Sequence, residues 1–149
     1  MKISALILMA SAGFAQQQSS VTIDGNVIEV KYTPPAAKHR LMANLHTPTD
    51  LAFKGVRVPK GDYTIFVLTD GPQWQIAINK ATGAKAATYD AKLDLGRVNM
   101  TMGKGAATAE AKVTLTKIAA LAAKLEIAWN DVVASAPFHL DRGANDREW

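Results

Sequence analysis

The stretch His39-Arg40-Leu41-Met42-Ala43-Asn44-Leu45-His46-Thr47 concentrates chemistry-bearing side chains in one place. An arginine can clamp a carboxylate or phosphate through two parallel hydrogen bonds, and a nearby asparagine adds directional donors and acceptors. The same two groups can equally tie a loop to backbone carbonyls and amides. Tyr89 and Asp90 admit the same two readings. The candidate ligand-binding set is therefore Arg40, Asn44, His46, Tyr89 and Asp90.

Other chemistries find less to work with. The three histidines are His39, His46 and His139, and there is no cysteine, so a zinc-like site would need them with carboxylates such as Asp50, Asp90 or Asp94. No dense spacing such as His-x-x-x-His occurs, and no metal site or cofactor is inferred. Ser135 lacks a Gly-x-Ser-x-Gly setting, which leaves no serine nucleophile in the body of the chain. Asp90 and Asp94 could form a glycosidase-type pair only by facing across a cleft, and acids beside a turn explain them more simply. Trp74 and Trp129 share strand faces with isoleucines, which favours core packing over sugar stacking. No catalytic residue is assigned.

The elements that must position these groups read as β-strands. Val21-Thr22-Ile23 and Val27 to Tyr32 flank Asp24-Gly25-Asn26, a hairpin turn composition, with Gln16 to Ser20 as a polar leader. Residues 33–50 hold three of the six prolines and show no sustained period, so they read as an irregular surface segment. Leu51 to Phe53 and Val56 to Val58 are short strands. Tyr63 to Leu68 is apolar on both faces and reads as a central strand, paired through Asp70-Gly71-Pro72 with residues 74–79, whose Gln75, Ala77 and Asn79 face should be wet. Val98, Met100 and Met102 define another strand, Gly103-Lys104-Gly105 a flexible loop, and Asn130-Asp131 a turn before a last strand from Val132 to Leu140.

Residues 106–129 carry two patterns. Ile118, Leu121, Ala122 and Leu125 have helical spacing in an alanine-rich context, whereas Leu125, Ile127 and Trp129 alternate as in a strand. The residues alone leave both open.

The N-terminus, Met1 to Ala15, has one early lysine, a short apolar run and small residues suited to signal peptidase, so it reads as a Sec signal peptide. Cleavage is placed after Ala15, with Ala10-Ser11-Ala12 as an earlier option. The product expected is a periplasmic or secreted β-domain over residues 16–140 with a polar tail, 141–149. Without cysteine, neither disulfides nor a lipidated cysteine can anchor it, and stability must come from the core. The net charge of +4 is spread out, with no basic run to track phosphates, so nucleic acid is not an expected partner. No later apolar run is long enough for a helical membrane span.

Several blocks resemble the secreted bacterial family known as domain of unknown function 2911: Gly25-x-x-Ile28-x-Val30-x-Tyr32-x-x-Pro35, Val58-Pro59-x-Gly61-x-Tyr63-Thr64, Trp74-x-Ile76-x-Ile78-Asn79-Lys80-x-Thr82-Gly83, Tyr89-Asp90-x-x-x-Asp94-Leu95-Gly96-Arg97-Val98 and Leu125-x-Ile127-x-Trp129. The resemblance implies an all-β, sandwich-like domain with little or no helix, and two strands over 106–129. It implies no established activity. The family's Trp-Arg-x-Gly-Ala-Asn-x-x-Thr motif is reduced here, with His39 and Met42 at the Trp and Gly positions. Its Gly-x-Trp-Gly block is Gly83-Ala84-Lys85-Ala86. If those tryptophans line a pocket in other members, this chain has a modified one.

The reading that follows is a non-catalytic exported β-sandwich that binds a small ligand, glycan or protein partner through the 39–47 loop and the 83–94 segment. The alternatives are an envelope hydrolase or metal-dependent enzyme using His39 or His46 with Asp90, and a structural or oligomerisation module.

Overall fold

The computed structural model describes residues 16–35 and 40–141, so the signal-peptide assignment, His39, and the tail from residue 142 with Trp149 lie outside the described residues. The described chain is all-β, as expected from the turn-punctuated alternation of its sequence. Its strands are β1 (Gln17–Ile23), β2 (Asn26–Tyr32), β3 (Met42–Thr47), β4 (Leu51–Phe53) and β5 (Val56–Val58), followed by β6 (Gly61–Leu68), β7 (Gln75–Asn79), β8 (Asp94–Asn99), β9 (Thr101–Ala119) and β10 (Ala122–Leu140). They form two antiparallel sheets, ordered β1-β2-β3-β6-β7-β8 and β5-β4-β10-β9. Two short 3₁₀ turns, Gly83–Ala87 and Ala91–Leu93, lie between β7 and β8.

The first hairpin turns at Asp24 and Gly25, both with positive φ (52° and 80°), the backbone of a type I′ turn that follows the strand twist. The residues read as a polar leader are part of it, because Gln17 to Ser20 pair with Glu29 to Tyr32. A larger correction concerns residues 33–50. Met42–Thr47 is an interior strand, β3, between β2 and β6. Its alternation is real but muted, since the inward positions are Ala43, Leu45 and Thr47 rather than large β-branched residues.

The inner faces of the two sheets enclose the main core, in which Ile28, Val30, Ile65, Ile76, Leu125 and Phe138 are almost fully buried. Trp74 belongs to this core, and Trp129 packs partly buried against it, as their isoleucine neighbours suggested. The outer face of β7 is not wet. Ala77 and Asn79 are fully buried, because the 83–93 segment folds back over the large sheet and forms a second small core with Phe66, Leu68, Ala81 and Ala86.

The ambiguous alanine-rich region is the long β9–β10 hairpin, and cross-strand burial of Val113, Leu115, Leu125 and Ile127 overrides its helical propensity. Gly103 to Gly105 is strand, not loop, with Gly103 paired to Val133. Asn130 does not end a strand. It sits at positive φ (58°) between two register shifts, a β-bulge that bends β10 without breaking it. The run around Val98 to Met102 is split at Met100, where the chain leaves the large sheet for the small one.

Candidate functional site

The outer face of the large sheet presents a grid of polar side chains that strand register defines. Glu29, His46 and Asp62 lie opposite one another across β2, β3 and β6, and Lys31, Asn44 and Thr64 form the next row. These strands are interior, so their backbones are locked in the ladder and the side chains stand on a rigid floor. Glu29, Lys31, Asn44, His46 and Asp62, together with Tyr63, Thr82 and Gly83, line a cavity of about 490 Å³, within the range that holds a small ligand, while Thr64 itself is fully buried.

The charged groups of this cavity pair among themselves. His46 Nδ1 lies 2.6 Å from Asp62 Oδ1, and Lys31 Nζ lies 3.9 Å from Glu29 Oε1. The side chains of His46 and Asp62 are 55% and 70% exposed, so this hydrogen bond competes with water. The Thr64 hydroxyl donates to the Ala81 carbonyl at 2.7 Å and sits 3.4 Å from Asn44 Oδ1, which ties the floor to the segment covering β7. The result is a surface rich in donors and acceptors, with a lysine set beside a glutamate and an imidazole oriented by a carboxylate.

A second arrangement surrounds Tyr89. Its ring packs on Phe66 with centroids 4.8 Å apart, and the Arg40 guanidinium carbon stands 5.2 Å from the ring centre, a cation–π contact. The Tyr89 hydroxyl donates to Asp94 Oδ2 and accepts from Arg97 Nη2 at 3.0 Å. Burial, and then the bond to Asp94, push the Tyr89 hydroxyl above its ordinary pKa, with the Arg97 bond acting against them. Asn79 underpins this cluster. Its Nδ2 donates to Asp94 Oδ1 and to the Asp90 carbonyl, both at 2.9 Å, while its Oδ1 accepts from the Ala81 amide.

The residues singled out in the sequence thus fall into two groups. Asn44 and His46 share the cavity, Arg40 and Tyr89 share the stacked cluster, and Asp90 serves local structure by accepting from the Lys92 amide at 3.0 Å. His46 takes Asp62 as its carboxylate, while the Asp90 side chain caps the turn beside it. His139 lies on β10 of the other sheet, opposite Ala52. Among the described residues no three His, Asp or Glu side chains are disposed to hold a metal ion. Sequence reasoning missed Asp62 and Asp94 as partners and did not connect Glu29 and Lys31 to the site. Alternation places Glu29 and Lys31 on the outer face, but only strand order brings β2 beside β3.

Residues 42–138, from β3 into β10, match the model described as "Protein of unknown function (DUF2911)". The chain belongs to this family. No curated protein and no solved structure matches it. Of the residues that resemble the DUF2911 first motif, Arg40 lies on the Tyr89 ring, Ala43 is in the core, Asn44 lines the cavity and Thr47 is buried with its hydroxyl on the Thr49 carbonyl. Of the departures, Met42 and Ala86 pack into the small outer core, whereas Lys85, at the tryptophan position of the second block, is exposed.

Proposed function

We propose that the protein is an exported binding module that holds a small, uncharged, hydroxyl-rich ligand, such as a sugar unit of a glycan, in the cavity above β2, β3 and β6. The observation that carries this reading is the internal pairing of Glu29 with Lys31 and of His46 with Asp62. A floor whose ionisable side chains already engage one another gains little from a charged ligand, yet offers donors and acceptors to hydroxyls. Asn44 supplies both at the centre of the grid. Export is supported by the sequence of residues 1–15, and N-terminal sequencing of the envelope-fraction protein should begin at Gln16.

The test is calorimetric titration of the purified protein with neutral cell-wall sugars and oligosaccharides. Saturable binding that weakens at least about tenfold in Asn44→Ala, with the melting temperature held, supports the site. Absence of binding across the panel, or affinity indifferent to Asn44→Ala and Glu29→Gln, rejects it.

The 2.6 Å His46–Asp62 pair favours a second reading, hydrolysis of such a ligand with His46 as general base and Asp62 orienting it. Product release lost in both His46→Gln and Asp62→Asn, with binding retained, would select it.

A further inference from the structure

The second cavity has the opposite electrostatic character. It measures about 570 Å³ and opens where the two sheets meet beside β8, with Lys54 from the β4–β5 turn on one side and Gln75, Arg97, Asn99 and Thr101 on the other. Its lining includes two cationic side chains and no carboxylate. Lys54 has no acidic partner among the described residues. Arg97 touches Asp94 through Nε at 3.5 Å and Tyr89 through Nη2 at 3.0 Å, which uses two of its five N–H groups and leaves the rest of the fork to donate. The Asp94 and Tyr89 contacts also hold the guanidinium in place. Gln75 Nε2 donates to Asn99 Oδ1 at 2.7 Å, which holds the Asn99 amide and leaves its NH₂ available to donate. Thr101 adds a hydroxyl, and buried Val98 and Met100 form an apolar floor.

We propose that this cleft is a binding site for a small dianionic oxyanion ligand, a dicarboxylate or a phosphate monoester. Lys54, without an acidic partner among the described residues, and Arg97, whose counter-charge Asp94 lies outside the lining, raise the local anion concentration in the cleft, and a planar guanidinium fork fits two oxygens of a carboxylate or phosphate. Neutral amide and hydroxyl donors then complete the shell around the oxyanion. The site is independent of the sugar cavity, with which it shares no lining residue.

Titrations with inorganic phosphate, with succinate and with a neutral diol, each followed by amide shifts in NMR spectra, test this. Saturation by phosphate or by succinate, but not by the diol, is expected, weakening about tenfold in Lys54→Met, recovering in Lys54→Arg and falling with added salt. Saturation by phosphate alone assigns a phosphoryl ligand, and by succinate alone a carboxylate. Lys54 is exposed and makes no bond that the fold needs, so its variants should fold, and Asn99→Ala provides a second probe. Shifts from neither anion, or anion binding unchanged in both Lys54→Met and Asn99→Ala, overturn the proposal. Anion binding that survives Asn44→Ala, and sugar binding that survives Lys54→Met, keep the two sites' outcomes separate.

Discussion

Asn79 shows how a single buried amide can hold a surface together. It is fully buried, and its three hydrogen bonds join the end of β7 to the Ala81 amide, the Asp90 carbonyl and the Asp94 carboxylate. Asn79→Leu removes all three and leaves the buried Ala81 amide without its acceptor, while the Asp90 carbonyl keeps the Leu93 amide and the Asp94 carboxylate keeps Tyr89 and Arg97, so a loss of about 1–3 kcal/mol is expected in urea unfolding. A change below about half a kcal/mol would mean that water reaches this amide freely. Tyr89 gives a pH-dependent counterpart. Its hydroxyl, like that of Tyr63, is raised above the ordinary value of 10.0, in both cases chiefly by burial, with the Asp94 bond adding at Tyr89 and the Asp50 and Asp62 charges adding at Tyr63. A raised folded value means that folding favours the protonated phenol. That stability is full below pH 10 and is lost as the pH climbs through the folded value. Unfolding midpoints should therefore fall above pH 10, and Tyr89→Phe, less stable at neutral pH, should show a shallower decline; an equally steep decline in the variant would remove Tyr89 from the account. The sequence displayed Arg40 and Tyr89 as separate candidates, and it could not display their stacking, which depends on the 83–93 segment folding back over β6 and β7.

Strands whose side chains alternate strongly were legible, and strands built from small or polar residues were not. Ile28, Val30 and Tyr32 announced β2, and Trp74, Ile76 and Ile78 announced β7, whereas β3 hides behind Ala43 and Thr47 as inward residues and two prolines shortly before it. The β9 strand hides in alanine, glycine and lysine, because its first half lies exposed and lacks an apolar face to reveal its period. The bulge at Asn130 looked like a turn since both use an asparagine at positive φ. Element packing also explains one glycine. A Cβ on Gly96 in β8 would lie 2.6 Å from Val56 Cγ2 and 3.2 Å from Cγ1, so the short strand β5 approaches the edge of the large sheet only because position 96 is bare. Gly96→Ala should cost about 1–3 kcal/mol by overpacking. Combining it with Val56→Ala should cost less than the sum of the two single changes, by a coupling of about 0.5–3 kcal/mol in a double-mutant cycle. Strict additivity would place the strain elsewhere.

At the scale of the whole molecule, the two sheets are joined along one side by side chains instead of a backbone ladder. The amide of Val113 in β9 donates to the Tyr32 hydroxyl at 3.0 Å, and the amide of Leu115 donates to Ser19 Oγ at 2.9 Å, so β9, an edge strand of the small sheet, is capped by β1 and β2 of the large one. This arrangement satisfies alternate N–H groups of an exposed edge, the groups most open to unwanted pairing. It also makes the closure depend on two hydroxyls. Tyr32→Phe keeps the ring in the core but leaves the buried Val113 amide unpaired, which should cost about 1–3 kcal/mol. The effect should be local in hydrogen exchange. Amides of β9 from 111 to 115 should exchange faster than the global loss of stability accounts for, while those of β6, interior to the large sheet, should slow or quicken only with that global change. Ser19→Ala should act on the same stretch and, combined with Tyr32→Phe, should depart from additivity because both hydroxyls hold one strand. If β9 and β6 amides respond in parallel in every variant, the sheets open as one cooperative unit and the seam has no separate stability of its own.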